Sequence, residues 1–161
     1  MVEIETLKFA ITLSGTHPEK KAEFRISVGG KEIMHTHTKK FMWEPEEFKF
    51  EVELEEGNRA LEIEFLNKGP GDTIMDEQGQ ILSDHCLNID SVSVDEIDLG
   101  PLKWTLSAYH PAYPSNYVSE VLKTTGKRPD EIVHSCVNMG WNGKWVLPFQ
   151  IPFYIWLLEN L

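Results

Sequence analysis

The chain has 161 residues, with 15 lysines and arginines against 26 aspartates and glutamates, which gives a formal net charge of -11. This length is sufficient for one well-buried core and does not require a second independent domain. The acidic balance disfavours nucleic acid as a partner, because binding to phosphates needs a basic surface.

The first segments alternate apolar and polar residues with the period of two that is typical of half-buried strands. The apolar positions are Leu7, Phe9, Ile11 and Leu13 in a first strand, and Phe24, Ile26 and Val28 in a second. Gly29 and Gly30 then predict a tight turn, since glycine accepts a positive φ. The opening residues contain no charged segment followed by an apolar run, so we expect no secretory signal and a cytoplasmic site of synthesis and assembly.

His35 and His37 lie two residues apart in the next extended segment and would share one face of a strand. Such a pair can ligate zinc, but the sequence indicates no third ligand, so we interpret the pair as polar surface. Cys86 and Cys136 are too far apart for a CxxC motif, and we expect them to be unpaired and buried.

Two more alternating segments, residues 48–54 and 61–65, are joined by Glu56, Gly57 and Asn58, and we predict that they form a hairpin. Residues 67–83 show no period and are rich in glycine and aspartate, which predicts a long functional loop. In the strand that follows, the apolar pattern changes phase near Asp90, which indicates a β-bulge.

The second half of the chain mixes patterns. Residues 102–106 alternate and predict another strand, residues 115–125 have helical spacing with Gly126 as a stop, and residues 129–133 predict a brief helical turn. The segment between them contains Tyr109, Tyr113 and Tyr117. These tyrosines could form a stacking platform for a sugar ring, but we favour a packed connector.

The C-terminal segment is rich in tryptophan and other apolar residues. Asn142 and Gly143 predict a tight hairpin turn, and residues 146–158 are almost wholly apolar. This run is too short and too interrupted by proline to span a bilayer. We favour a role in the core of this domain. The alternative is a docking anchor for a partner subunit, formed by Phe149, Phe153, Tyr154, Trp156 and Leu157.

Three segments resemble the calcium-dependent xylan-binding carbohydrate-binding modules: FRISVGG at residues 24–30, LEIEFLN at residues 61–67 and DHCLNIDSVSV at residues 84–94. The resemblance covers about the first hundred residues. It implies an all-β jelly-roll β-sandwich in which loop carboxylates hold calcium and the ion binds sugar hydroxyls. We therefore expect a sandwich over residues 1–106, and a C-terminal extension with a short helix over residues 107–161, packed on the sandwich or on a partner.

By position, the resemblance carries Asn67, Asp84 and Asp90 over as residues of the calcium site, and Asp72, Asp76 or Glu77 in the long loop could substitute for a missing ligand. The family has Asn-Asp where this chain has Asn67 and Lys68. Calcium takes about six to eight oxygen ligands, so an ammonium in place of a carboxylate weakens such a site. The predicted cofactor is calcium, bound by Asn67, Asp72, Asp84 and Asp90, and Lys68 would weaken its binding.

No serine elbow, P-loop, HExxH motif or Rossmann fingerprint occurs, so we do not expect an enzyme. The length of the chain, the lack of a signal and the Trp-rich end also resemble small structural proteins of tailed bacteriophages. We therefore rank first a virion structural protein of the tail, baseplate or capsid, which binds protein subunits of a larger assembly in the host cytoplasm. The alternative is a calcium-dependent module that recognises a plant-type or cell-surface polysaccharide.

Overall fold

The computed structural model describes residues 3–161, which form thirteen strands and three helices. The strands are β1 (Ile4–Gly15), β2 (Glu23–Val28), β3 (Lys31–His37), β4 (Glu46–Glu55), β5 (Gly57–Phe65), β6 (Ile74–Met75), β7 (Ile81–Ser83), β8 (Leu87–Val94), β9 (Ile97–Asp98), β10 (Ala108–Pro111), β11 (Val133–His134), β12 (Asn138–Met139) and β13 (Gly143–Ile151). The helices are α1 (Leu102–Thr105), α2 (Ser115–Thr125) and α3 (Phe153–Asn160).

Two antiparallel sheets form the sandwich, as the sequence predicted. The first has the order β12-β8-β1-β4, with β9 paired to β8, and the second has the order β11-β10-β13-β5-β2-β3. Strands β6 and β7 form a small separate hairpin within the long loop. The predicted all-β sandwich with a short helix is therefore confirmed.

The core lies between the two sheets and is built by the alternating residues. On β1, β2 and β5 the inward-facing apolar side chains are buried, and six of them have no exposed surface: Ile11, Leu13, Phe24, Ile26, Leu61 and Ile63. Their polar neighbours in sequence face outward, because successive side chains of a strand point to opposite faces. The period of two therefore predicted which face of each strand is buried.

The predicted hairpin between residues 48–54 and 61–65 is wrong. Strand β4 pairs with β1, whereas β5 pairs with β2 and β13 in the other sheet, so the chain crosses between sheets at residues 55–57. A strand with one buried face has the same sequence pattern in either arrangement. Alternation therefore predicted the strands but not their partners.

The hairpin predicted at Asn142 and Gly143 is also wrong, since β12 pairs with β8 and β13 pairs with β5 and β10. The glycine has a different purpose. A Cβ on Gly143 would lie 2.4 Å from the backbone oxygen of His110, so only glycine allows β13 to approach β10 this closely.

Local predictions in the second half had mixed outcomes. Helix α2 is confirmed, and Gly126 ends it in the left-handed conformation with φ of 75°. The predicted strand at residues 102–106 is instead the short helix α1, which starts directly after Pro101, a residue that suits the start of a helix. The predicted helical turn at residues 129–133 is absent, and Val133 begins strand β11.

A predicted turn and the predicted β-bulge are confirmed. Gly29 and Gly30 both have positive φ and join β2 to β3. In the pairing of β1 with β8, Thr12 lies opposite Ser91 and Leu13 lies opposite Ile89, so Asp90 is the extra residue of a bulge.

The C-terminal segment is part of the sandwich core. Strand β13 lies between β10 and β5, and β12 extends the first sheet, while the boundary at residue 106 stays a prediction. The predicted anchor residues Phe149, Phe153, Trp156 and Leu157 are buried in the core, and only Tyr154 of the five is exposed. The docking-anchor hypothesis is corrected accordingly, because side chains buried in their own domain are not available to a partner.

Within residues 3–161, no helix has the length and apolar character needed to cross a membrane.

Candidate functional site

An open cleft lies beside α2, where the loop that follows β5 meets the segment before β13. It consists of two adjoining cavities of about 340 and 650 Å³. Both are lined by the side chains Lys68, Thr73, Tyr117, Glu120 and Trp141. We call this feature the aromatic cleft.

Two half-buried aromatic rings, Tyr117 and Trp141, line the aromatic cleft, and a third, Tyr113, packs against them. The ring centroids of Tyr117 and Trp141 are 4.5 Å apart, and Tyr113 lies 5.4 Å from Tyr117 and 6.0 Å from Trp141. Aromatic rings provide a large flat apolar surface with a polar edge. Such a surface is suited to a flat ligand that has both an apolar face and polar groups.

The backbone at Trp141 is fixed by hydrogen bonds from two directions. The Asn142 side chain accepts from the Lys68 amide at 2.7 Å and donates to the Lys68 carbonyl at 2.9 Å. The hydroxyl of Tyr109 on β10 accepts from the Trp141 amide at 3.0 Å and donates to the Trp141 carbonyl. Burial raises the pKa of this tyrosine, which therefore keeps its proton. The tryptophan is thus attached to both β10 and the long loop.

The tyrosines of the predicted connector divide between two roles. Tyr109 is buried in the core, whereas Tyr117 lines the aromatic cleft and Tyr113 packs against Tyr117 and Trp141. Trp141 was not among the predicted site residues. The sequence contains no local signal for this contact, because residues 117 and 141 are brought together by the fold.

Asp84, a predicted calcium ligand, is already paired with a lysine. Its Oδ1 accepts hydrogen bonds from Lys68 Nζ at 2.7 Å, Thr73 Oγ1 at 2.7 Å and the His85 amide at 2.8 Å. Burial acts to raise the pKa of the Asp84 carboxyl, but the hydrogen bonds outweigh it and hold that pKa below its usual range. The Lys68 side chain is only 6% exposed, and its Nζ lies 4.9 Å from the centre of the Trp141 ring.

Asp72 has the same kind of environment. Its Oδ2 accepts from Lys20 Nζ at 2.7 Å and from the Gly69 amide at 2.6 Å. The pKa of the Asp72 carboxyl is lowered, because these hydrogen bonds outweigh the opposing effect of burial. Lys20 lies between β1 and β2, so this ion pair attaches their connection to the long loop.

The other two predicted ligands serve the backbone or face solvent. Asn67 Oδ1 accepts from the Glu23 amide at 2.9 Å, and its Nδ2 donates to the Lys21 carbonyl at 2.9 Å. Asp90 is exposed at the bulge of β8. Among residues 3–161, no group of three or more histidine, cysteine, aspartate or glutamate side chains is placed to hold a metal ion. These residues do not fit a calcium site, because the carboxylates of Asp72 and Asp84 are each neutralised by an ammonium group.

The two histidines of the HxH pair also have protein partners. His35 Nε2 lies 2.6 Å from Glu23 Oε2, and His37 Nδ1 lies 2.8 Å from the Thr38 carbonyl. Both side chains are exposed, which agrees with their interpretation as polar surface.

His85 is a fully buried polar residue next to these ion pairs. Its Nε2 lies 3.0 Å from Asn67 Oδ1, an acceptor, so we assign the proton to Nε2. Its Nδ1 is the one buried side-chain polar atom without a hydrogen-bond partner in the part of the chain that the structure describes. Burial, followed by the charge of Lys20, lowers the pKa of His85 to about 4. The imidazole is therefore neutral at pH 7.

No protein-family model matches the chain, and no curated protein matches it. Among solved structures, the selenomethionine form of vCBM60, described with a circular permutation that links two families of calcium-dependent carbohydrate-binding modules, has a TM-score of 0.53 and 11% identity over 88% of this chain and 89% of that chain. A structure of vCBM60 in complex with galactobiose has a TM-score of 0.49 and 10% identity over 87% of this chain and 96% of that chain. The first of these similarities shows that the chain shares the fold of a carbohydrate-binding module.

Proposed function

We propose that this protein is a non-catalytic carbohydrate-binding module that binds a neutral polysaccharide in the aromatic cleft. The observation that carries this proposal is the pairing of the Trp141 and Tyr117 rings with polar side chains in one open cleft. A pyranose ring has an apolar face of C–H groups and a rim of hydroxyls. The two aromatic rings provide a surface for the face, and polar side chains around them provide hydrogen bonds for the rim.

The charges of the cleft favour a neutral ligand over an acidic one. Lys68 is the one cation in its lining, and Asp84 already pairs with that ammonium. Glu120 adds a carboxylate on α2, so the lining is net negative. A polyuronate would meet repulsion from Glu120 and from the acidic surface of the whole chain.

The shared module fold and the aromatic cleft support the polysaccharide alternative rather than the virion role that the sequence ranked first. The fold is that of a carbohydrate-binding module, and four of the five residues predicted to bind a partner subunit are buried. A virion location and protein subunits as partners stay predictions.

Affinity electrophoresis through gels that contain soluble xylan, galactan, glucomannan or polygalacturonate tests the proposal. We expect a neutral polysaccharide to retard the protein, and we expect Trp141→Ala or Tyr117→Ala to weaken binding at least about tenfold through loss of the stacking surface. Titration calorimetry with the polysaccharide that retards the protein gives the affinities.

Trp104→Ala is the matched control, because Trp104 is an exposed tryptophan on α1 that does not line the cleft. This variant should bind as the unchanged protein does. Circular dichroism checks that each variant is folded. Equal retention of folded Trp141→Ala, Tyr117→Ala and the control would exclude the aromatic cleft as the binding site.

A further inference from the structure

We infer that the ammonium groups of Lys68 and Lys20 replace the calcium ion of the calcium-dependent modules, so that this protein folds and binds its ligand without a metal. Each ammonium lies 2.7 Å from a carboxylate that was predicted to bind calcium, Asp72 for Lys20 and Asp84 for Lys68. Two ammonium groups carry the same total charge as one calcium ion. The part of this inference that concerns the ligand rests on the proposed function, whereas the part that concerns folding does not.

Lys68 is held as a structural group and not as a surface lysine. Its side chain is 6% exposed, and its charge lies between the Asp84 carboxylate and the face of Trp141. An ammonium over an aromatic face is attracted by the ring as well as by the carboxylate. The Asp84 Oδ1 also accepts from Thr73 and His85, so the carboxylate oxygen beside the ammonium already has three donors.

Lys20 completes the arrangement on the other side of the long loop. Its partner Asp72 is largely buried, and Asp72 also accepts from the Gly69 amide within the same loop. The two ion pairs therefore connect the loop at residues 67–84 to itself and to the segment between β1 and β2. In a calcium-dependent module, a bound ion would provide such connections between loop carboxylates.

The position of Lys68 also gives it a part in ligand binding. An ammonium has three N–H donors, and Asp84 takes one of them. Lys68 lines both cavities of the aromatic cleft, next to Trp141. We therefore expect a remaining N–H donor of Lys68 to serve a hydroxyl of a sugar bound in the cleft.

The first arm of the test uses the melting temperature of metal-stripped protein. We expect the same melting temperature, within about 1 °C, in about 1 mM EDTA and in about 1 mM calcium chloride, and no binding heat when calcium is titrated into the protein. A melting temperature that rises with calcium would overturn the inference.

The second arm removes the charge. Lys68→Met keeps the length and the apolar stem of the side chain but leaves Asp84 without its cation, so we expect the melting temperature in EDTA to fall by about 4 °C or more. Lys49→Met is the matched control, because the Lys49 side chain is 73% exposed and its pairing with Glu47 is on the surface. The control should change the melting temperature by about 1 °C or less. An equally small change in Lys68→Met would overturn the inference.

The third arm uses the polysaccharide that retards the protein. We expect equal retention in EDTA and in calcium, and retention that disappears in EDTA would overturn the inference. If no polysaccharide retards the protein under either condition, the proposed function fails, and the two melting experiments still decide whether lysines replace the ion.

Discussion

His85 is a residue whose burial is only partly compensated by hydrogen bonds. It has no exposed surface, and its Nδ1 has no hydrogen-bond partner among the described residues. The centroid of its ring lies 5.1 Å from that of Phe65 and 5.8 Å from that of His17. A buried polar atom without a hydrogen-bond partner lowers the free energy of unfolding. In return, the Nε2 contact with Asn67 orders the start of the long loop.

This burial predicts a dependence of stability on pH. The pKa of His85 is about 4 in the folded protein and about 6.5 when the chain is unfolded, so the unfolded state gains a proton first as the pH falls. The contribution of His85 to stability is therefore complete above pH 6.5, decreases as the pH falls from about 6.5 to 4, and is lost below. The charged groups that act on the imidazole are those of Lys20, Asp72, His17 and Lys68.

Melting temperatures of the unchanged protein and of His85→Leu, measured from about pH 7 to pH 4, test this prediction. We expect the variant to have a flatter profile in this interval, because it lacks the group that takes up the proton on unfolding. Asn67 Oδ1 would still accept from the Glu23 amide in the variant. Parallel profiles would show that other groups are responsible for the pH dependence.

Among single residues, the sequence identified those that depart from a family pattern, but it did not identify residues that only the fold brings into contact. Lys68 stood out because the resemblance has a carboxylate at that place, and the structure shows its ammonium on Asp84. Trp141 could not be predicted as part of a site, because its contact with Tyr117 depends on the packing of α2 beside the end of β12. Asp90 marked the bulge correctly, but a change of phase does not tell where the extra side chain points.

Helix α2 forms one wall of the aromatic cleft but is weakly attached to the sandwich. None of its residues is buried, although it carries Tyr117 and Glu120 into the lining. Most of the stability of a helix in a protein comes from packing of its apolar face, which is small here. We therefore expect α2 to open locally more readily than the sheets.

Hydrogen exchange measured by mass spectrometry tests this expectation. The amides of α2 should exchange much faster than those of β13, whose backbone pairs with β5 along its whole length and also with β10 over residues 143–146. Addition of a bound polysaccharide should slow exchange in α2, since the ligand would contact this wall. Equal protection of α2 and β13 in the free protein would contradict the prediction.

The success of the predictions for single elements depended on the residues beside them as well as on the pattern. Alternation predicted β1 and β2, and eleven residues with a glycine stop predicted α2. Residues 102–106 have as many alternating apolar positions as β2, but Pro101 lies directly before them and precedes the first turn of helix α1. The pairing of the strands could not be predicted, because a period of two indicates which face of a strand is buried and not which strand lies beside it.

For the whole molecule, the core joins residues from both ends of the chain. Phe9 on β1 and Phe149 on β13 have ring centroids 6.2 Å apart, and Phe149 also lies within 6.2 Å of Phe153 and Trp156. Alternation and the resemblance sufficed to predict the sandwich. They did not determine whether the apolar C-terminal run was core or interface, because both require the same side chains.

The position of β13 between β5 and β10 has a consequence for synthesis on the ribosome. Strand β5 is translated about eighty residues before its partner, so its edge toward β13 has no backbone partner until residues 143–151 leave the exit tunnel. An open apolar edge of this kind is vulnerable to aggregation and is a substrate for chaperones. We expect nascent chains arrested before residue 143 to be cut readily by protease, and chains arrested after residue 161 has emerged to resist it. Resistance in the shorter chains would show that the second sheet closes in another order.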